Sequence, residues 1–148
     1  MTNTVETLKE LTQTTFDSVE GYRKAAEKSE SPALTKALEE RAGRRQQTLS
    51  KLNTALTNHG EEAISSVSMT GKAHQTFLTI TEAFSDGDEA AVERVDEGEE
   101  FIADKFRDVL NDDDVQTMDM SVRTILQDAY TEISKGERFA DMLEDQYA

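Results

Sequence analysis

Val92, Val95, Ile102, Phe106 and Val109 recur in steps of three and four, the spacing that lays one apolar stripe along a helix. The step missing from that stripe falls on Glu99, within VDEGEEFIADKF at Val95–Phe106. A carboxylate facing a core must either ligate a metal or meet a buried cation, because an unpaired buried charge is too costly to keep. This one position limits how the rest of the chain can close around it.

Three further stretches carry comparable seams. The first, expected as a helix over about 4–28, has Val5, Leu8, Thr12, Thr15, Val19, Tyr22 and Ala26 in register, widened by Leu11 and Phe16. Asn3 and Glu6 read as its capping box. Ser31-Pro32 is a helix start: an oxygen to cap, and a proline where no amide is needed. The second helix then runs to about Asn58 with Leu34, Leu38, Ala42, Arg45, Leu49, Leu52 and Leu56 inward. Gly60 is placed for a left-handed C-terminal residue, and His59 for the negative end of the helix dipole. Three residues between two such helices make them antiparallel neighbours.

Glu61–Ser68 shows no periodicity and is read as a connection. A shorter helix is expected over 69–84, with Ala73, Phe77, Ile80 and Phe84 on one face. Asp86 and Glu89 offer a capping box for a third long helix over 88–110. The aspartates of Asn111–Asp114 suit the positive start of a fourth, over about 115–144. Its inward residues are Met118, Val122, Ile125, Ala129, Ile133, Gly136, Ala140 and Leu143. The fold expected is all-α: one domain over 1–148, an antiparallel four-helix bundle of the ferritin-like kind, with a helix in the crossover between helices two and three.

Composition narrows the function. A net charge of −15 disfavours nucleic acid, whose phosphates would be repelled over most of the surface. The absence of cysteine removes disulfides, thiolate chemistry and Cys-ligated metals. No apolar run suits a membrane span, and Met1–Thr15 lacks the basic start and apolar core of a signal peptide, so a soluble cytoplasmic protein is expected. Neither Asp86–Val95 nor Asp112–Arg123 supplies the ligand alternation of a calcium loop, which leaves capping as the role of those acids.

Di-iron and di-manganese bundles take a glutamate from each of two helices and Glu-x-x-His from each of the other two. Here Leu56 stands three residues before His59, and Gly71 before His74, so that motif is missing. Any metal would have to bind through lone carboxylates such as Glu20, Glu99 or Glu132.

The stretches TLKELTQTTFDSVEGYRKAAE at Thr7–Glu27, SPALTKALEERAGRRQQTLSKL at Ser31–Leu52 and EGEE at Glu97–Glu100 resemble a bacterial family of ferritin-like four-helix-bundle proteins, catalogued only as a domain of unknown function. The resemblance implies a glutamate where this chain has Val19, another at Gly43 and a histidine at Gly136. Glu99 alone stands as that pattern implies, so a metal site carried by those positions would be lost here.

A partner for Glu99 is at hand in Arg41, Arg44 and Arg45, the densest basic cluster, with Arg45 on the seam of helix two. The expectation is a buried, bidentate Arg45–Glu99 pair, the alternative being that both side chains sit at the stripe edge and reach to solvent. The glycines Gly21, Gly43, Gly98 and Gly136 are read as points of close helix approach. The function expected is that of a non-catalytic structural or interaction protein, tied to stress and self-associating, most simply as a dimer. No catalytic, cofactor-binding or metal residue is assigned, and no cofactor. The alternative is a carboxylate-based protein that binds or oxidises iron or manganese. Use of the helix-two arginines as a polyanion site ranks last.

Overall fold

Four long helices carry the chain in the computed structural model, which describes residues 4–69, 71, 74, 75, 78, 79, 82 and 87–147. They are α1 (Thr4–Lys28), α2 (Pro32–Asn58), α3 (Asp88–Leu110) and α4 (Met120–Tyr147), with a 3-10 turn at Asp113–Thr117. No strand occurs among the described residues. The helix expected over 69–84 and the Asn3 cap fall largely outside them.

The punctuation around α2 follows its sequence. The Ser31 hydroxyl accepts from the Leu34 amide at 3.4 Å, and Pro32 opens the first turn. At the other end Gly60 takes φ 79°, the amide of Glu61 returns to the Leu56 carbonyl, and that of Gly60 to Thr57. That paired closure satisfies carbonyls the helix would otherwise leave bare. His59 joins it, its Nδ1 lying 2.9 Å from the Ala55 carbonyl.

The third long helix begins at Asp88 as expected, and the fourth does not begin where expected. The capping box expected at Asp86 and Glu89 involves Asp86, outside the described residues; the N-cap of α3 is Gly87, without a side-chain hydrogen bond. Asp88 instead reaches across to accept from the amides of Glu30 at 3.0 Å and Ser31 at 2.9 Å, tying the start of α3 to the α1–α2 turn. The last helix does not start near Val115. Asp112 accepts from the Asp114 amide at 2.8 Å, which closes a 3-10 turn, and Met118 is extended. The aspartates thus cap that turn, and α4 starts at Met120 and runs to Tyr147. The buried seam of α4 passes through Leu126, leaving Ile125 partly exposed at its edge.

Cross-helix contacts set the topology. Lys105 meets Glu10, and Asp88 meets the end of α1, so α1 and α3 are antiparallel. Arg41, Arg45 and Thr48 meet Glu132, while His59 lies by Asp119, so α2 and α4 are antiparallel too. The two hairpins α1–α2 and α3–α4 therefore stack with α2 and α3 parallel across the diagonal. The connection between them must travel the length of the bundle.

Its first part is strapped to the bundle flank. Asn53 clamps Ile64 through both its side-chain oxygen and nitrogen, and Gln13 donates to the Ser66 carbonyl at 2.9 Å. The buried Asp17 carboxylate accepts from the Ser68 amide at 2.9 Å and the Ser68 hydroxyl at 2.7 Å. Inside, the core divides in two. One apolar cluster gathers Leu8, Leu56, Phe106 and Leu126 at one end; another gathers Tyr22, Leu38, Val92 and Ala140 at the other. The threonines of α1 lie between and near them with their hydroxyls satisfied locally, Thr12 on the Leu8 carbonyl at 2.6 Å and Thr15 on Leu11 at 2.7 Å.

Replacing Asp17 by Ala removes both acceptors of Ser68 and is expected to cost about 1–3 kcal/mol. Limited proteolysis should then cut first in the 61–69 connection; an unchanged cleavage pattern would show that the strap holds nothing.

A buried arginine network as the candidate functional site

The layer between the two apolar clusters is ionic. Arg45 is fully enclosed, at 0% exposure, and Glu99 is 2% exposed. The guanidinium meets Glu99 side-on, Nη1 to Oε1 at 2.8 Å and Nη2 to Oε2 at 2.7 Å. The expected pair is therefore present, and it spans the bundle diagonal from α2 to α3.

It is not a simple pair. Arg45 Nε donates to Glu132 Oε1 of α4 at 2.8 Å, and Nη1 to the Ser18 hydroxyl of α1 at 2.6 Å. All four helices thus contribute to one side chain. Glu132 is held in turn by the Thr48 hydroxyl at 2.8 Å and by Arg41 Nη2 at 2.5 Å. Two arginines and two glutamates balance in charge, which is how a buried ionic layer avoids a net field in a medium of low dielectric. Aromatic rings flank it: the Arg45 guanidinium stands 5.6 Å from the Tyr22 ring centre, and that of Arg41 5.7 Å from Phe139.

The electrostatics follow from this enclosure. Burial pulls the Arg45 guanidinium down, but the charge and hydrogen bonds of Glu99, then Glu132 and Tyr22, more than reverse it, and its pKa stands well above the ordinary value. Burial first, then the neighbouring Glu99 charge, push the Tyr22 phenol well up. Its hydroxyl feels that carboxylate but makes no hydrogen bond of ordinary geometry.

Gly136 makes the layer possible. A Cβ there would stand 2.2 Å from Glu99 Oε2 and 2.5 Å from Arg45 Nη2. The absent side chain is the space the pair occupies. Gly43 is different: it is exposed, with nothing within 4 Å of an added Cβ. That overturns both readings placed on Gly43, close helix approach and a vacated ligand position. Val19 is buried, and Glu20 is bound up with Arg23 at 2.9 Å, away from the network.

The metal question can be tested on these donors. Glu99 and Glu132 both converge, but on Arg45, whose guanidinium fills the space between them. Val19 and Gly136 add no oxygen or nitrogen ligand. Among the described residues no three His or carboxylate side chains are grouped to hold a metal ion. The residues present do not fit a di-metal centre.

Arg45 and Glu99 stand out on their seams, and Arg41 in the basic cluster, but the parts played by Thr48, Ser18 and Glu132 do not. The signal existed: Arg41, Arg45 and Thr48 share one helix face, as do Glu132 and Gly136. Residues 3–112 match the family described as Domain of unknown function (DUF2383). The chain belongs to the DUF2383 family. In this DUF2383 chain the matched stretch carries Ser18, Arg41, Arg45 and Glu99, and it ends before α4, which brings Glu132 and Gly136. No curated protein and no solved structure matches the chain.

A second acidic group bears on stability. Asp96 of α3 faces Asp141 and Glu144 of α4; burial first, and then these two neighbours, push its carboxyl up to about 8. A raised folded-state pKa favours the fold while Asp96 is protonated, and this support is lost as pH rises from about 4 through about 8. Asp96→Asn should therefore raise the melting temperature relative to wild type at about pH 9, with the gain vanishing near pH 4. An equal shift at both pH values would show that the group titrates normally.

For the network, Arg45→Met strands Glu99 and should cost about 3–5 kcal/mol, much of it recovered in Arg45→Met/Glu99→Leu. Denaturant unfolding of the two variants measures this; no recovery in the double variant would mean that packing, not charge, sets the cost. Gly136→Ala should destabilise by roughly 1–3 kcal/mol, opposite in sign to the usual gain from alanine in a helix. A stabilised Gly136→Ala protein would show that the pair is free to move aside.

Proposed function

We propose that this chain is a cytoplasmic, non-catalytic protein of ferritin-like topology that serves a structural or interaction role. The observation that carries the reading is Arg45, set between Glu99 and Glu132 with hydrogen bonds to both. A guanidinium there uses the carboxylate oxygens that a bound ion would need, and it is charged at any physiological pH. The single lengthwise crossover between α2 and α3 supports the ferritin-like assignment. No helix among the described residues is long and apolar enough to cross a membrane.

The interaction role includes self-association as a dimer. Supporting it, α4 exposes Met120 and Met142, thioether side chains that adapt readily to a facing surface. Elemental analysis of untagged protein purified without chelator tests the central claim. Iron and manganese should be far below one ion per chain. Near-stoichiometric metal that disappears in Glu99→Gln would overturn the proposal in favour of carboxylate-based metal chemistry.

A further inference from the structure

Among the described residues, six cations on this acidic surface are held by a carboxylate, and Lys28, Lys36, Arg123 and Arg138 are among those that are not. Lys9, Arg23, Lys24, Arg94, Lys105 and Arg107 each sit against a carboxylate. Arg44, Lys51 and Lys135 have no carboxylate partner among the described residues, and all three line one groove between α2 and α4. Arg41 lines it as well, more than nine-tenths buried and already positioned by Glu132 and the Phe139 ring.

The groove is small, about 220 Å³. Two carboxylates reach it, Asp128 and Glu132. Glu132 is committed to Arg45, Thr48 and Arg41, which leaves Asp128 alone against the three unpaired cations. Gathering like charges in this way is unfavourable without a counter-charge close at hand.

We propose that this groove binds a small oxyanion of the phosphate type. Its volume lies below the roughly 300–1,000 Å³ of sites for drug-sized ligands but accommodates a phosphate group. An arginine fork and two ammonium groups from facing helices suit a compact, doubly charged anion with several acceptor oxygens. An extended polyanion does not fit, because beyond the groove it would run into the net charge of −15. A compact anion is governed by charges within a screening length of about 8 Å. The proposal rests on the groove alone and stands or falls separately from the reading of the bundle centre.

Amide chemical shifts of the full chain, titrated with inorganic phosphate at constant ionic strength against a chloride control, test it. Saturable shifts are expected in residues 44–51 of α2 and around Asp128–Lys135 of α4. Lys51→Ala and Lys135→Ala, both at exposed positions, should each weaken binding by about tenfold. Lys36→Ala, on α2 but outside the groove, should leave it unchanged. Shifts that fail to saturate, that appear equally with chloride, or that survive both groove substitutions would overturn the proposal. Sedimentation with vesicles of anionic phospholipid separates the source of the phosphate. Binding to vesicles that is lost in Lys51→Ala would replace a free oxyanion with a lipid headgroup and overturn the assignment as stated.

Discussion

A guanidinium at the centre of a helical bundle has to find acceptors from several directions at once, and this requirement organises the protein. Arg45 is too far from water to be solvated and too basic to shed its proton. Its planar fork donates to Glu99 edge-on, which sets the register of α3 against α2 across the diagonal. Its remaining nitrogen reaches Glu132 and so sets α4 against α2, while Ser18 does the same from α1. A purely apolar layer would tolerate sliding by a turn; a set of hydrogen bonds with lengths near 2.8 Å does not. The layer adds little net stability, because desolvation consumes most of its Coulomb gain. What it supplies is a single alignment.

The same constraint explains residues that look like poor helix choices. Glycine in mid-helix is unfavourable, yet at position 136 any side chain collides with Glu99 and Arg45. Threonines are weak helix formers, yet along α1 they carry small polar surface next to the ionic layer while returning their hydroxyls to the backbone. With a charge-balanced network in the middle, apolar packing is divided between two ends. The end with Phe106, Leu126 and Leu56 is the richer in large aliphatic side chains. The other relies more on alanines, with Tyr22 against the network.

The groove beside α2 is the outer edge of that layer. Arg41 belongs to both, lining the groove and donating to Glu132. Residues on the α2 face therefore pass from fully buried at Arg45 to exposed at Arg44 and Lys51 within two turns. The basic cluster that stands out in the sequence thus splits by function. Arg45 closes the centre, Arg41 bridges, and Arg44 faces solvent beside lysines that sequence proximity alone would not group with it.

Helical periodicity was enough to show four long helices, their inward faces and the conflict at Glu99, because each depends on local spacing and on residues such as Ser31, Pro32 and Gly60 that act on their own backbone. A counter-ion for Glu99 was also legible, since Arg45 was the one cation on a seam. Tertiary structure alone decided that Glu132 shares Arg45, that Gly136 is a gap for side chains while Gly43 faces open space, and that Lys51 and Lys135 line one groove. It also moved the start of α4, because Asp112 prefers to close a 3-10 turn. These outcomes depend on how helices are rotated against one another, and a rotation of a few tens of degrees redirects every polar side chain while leaving the apolar pattern almost as well buried.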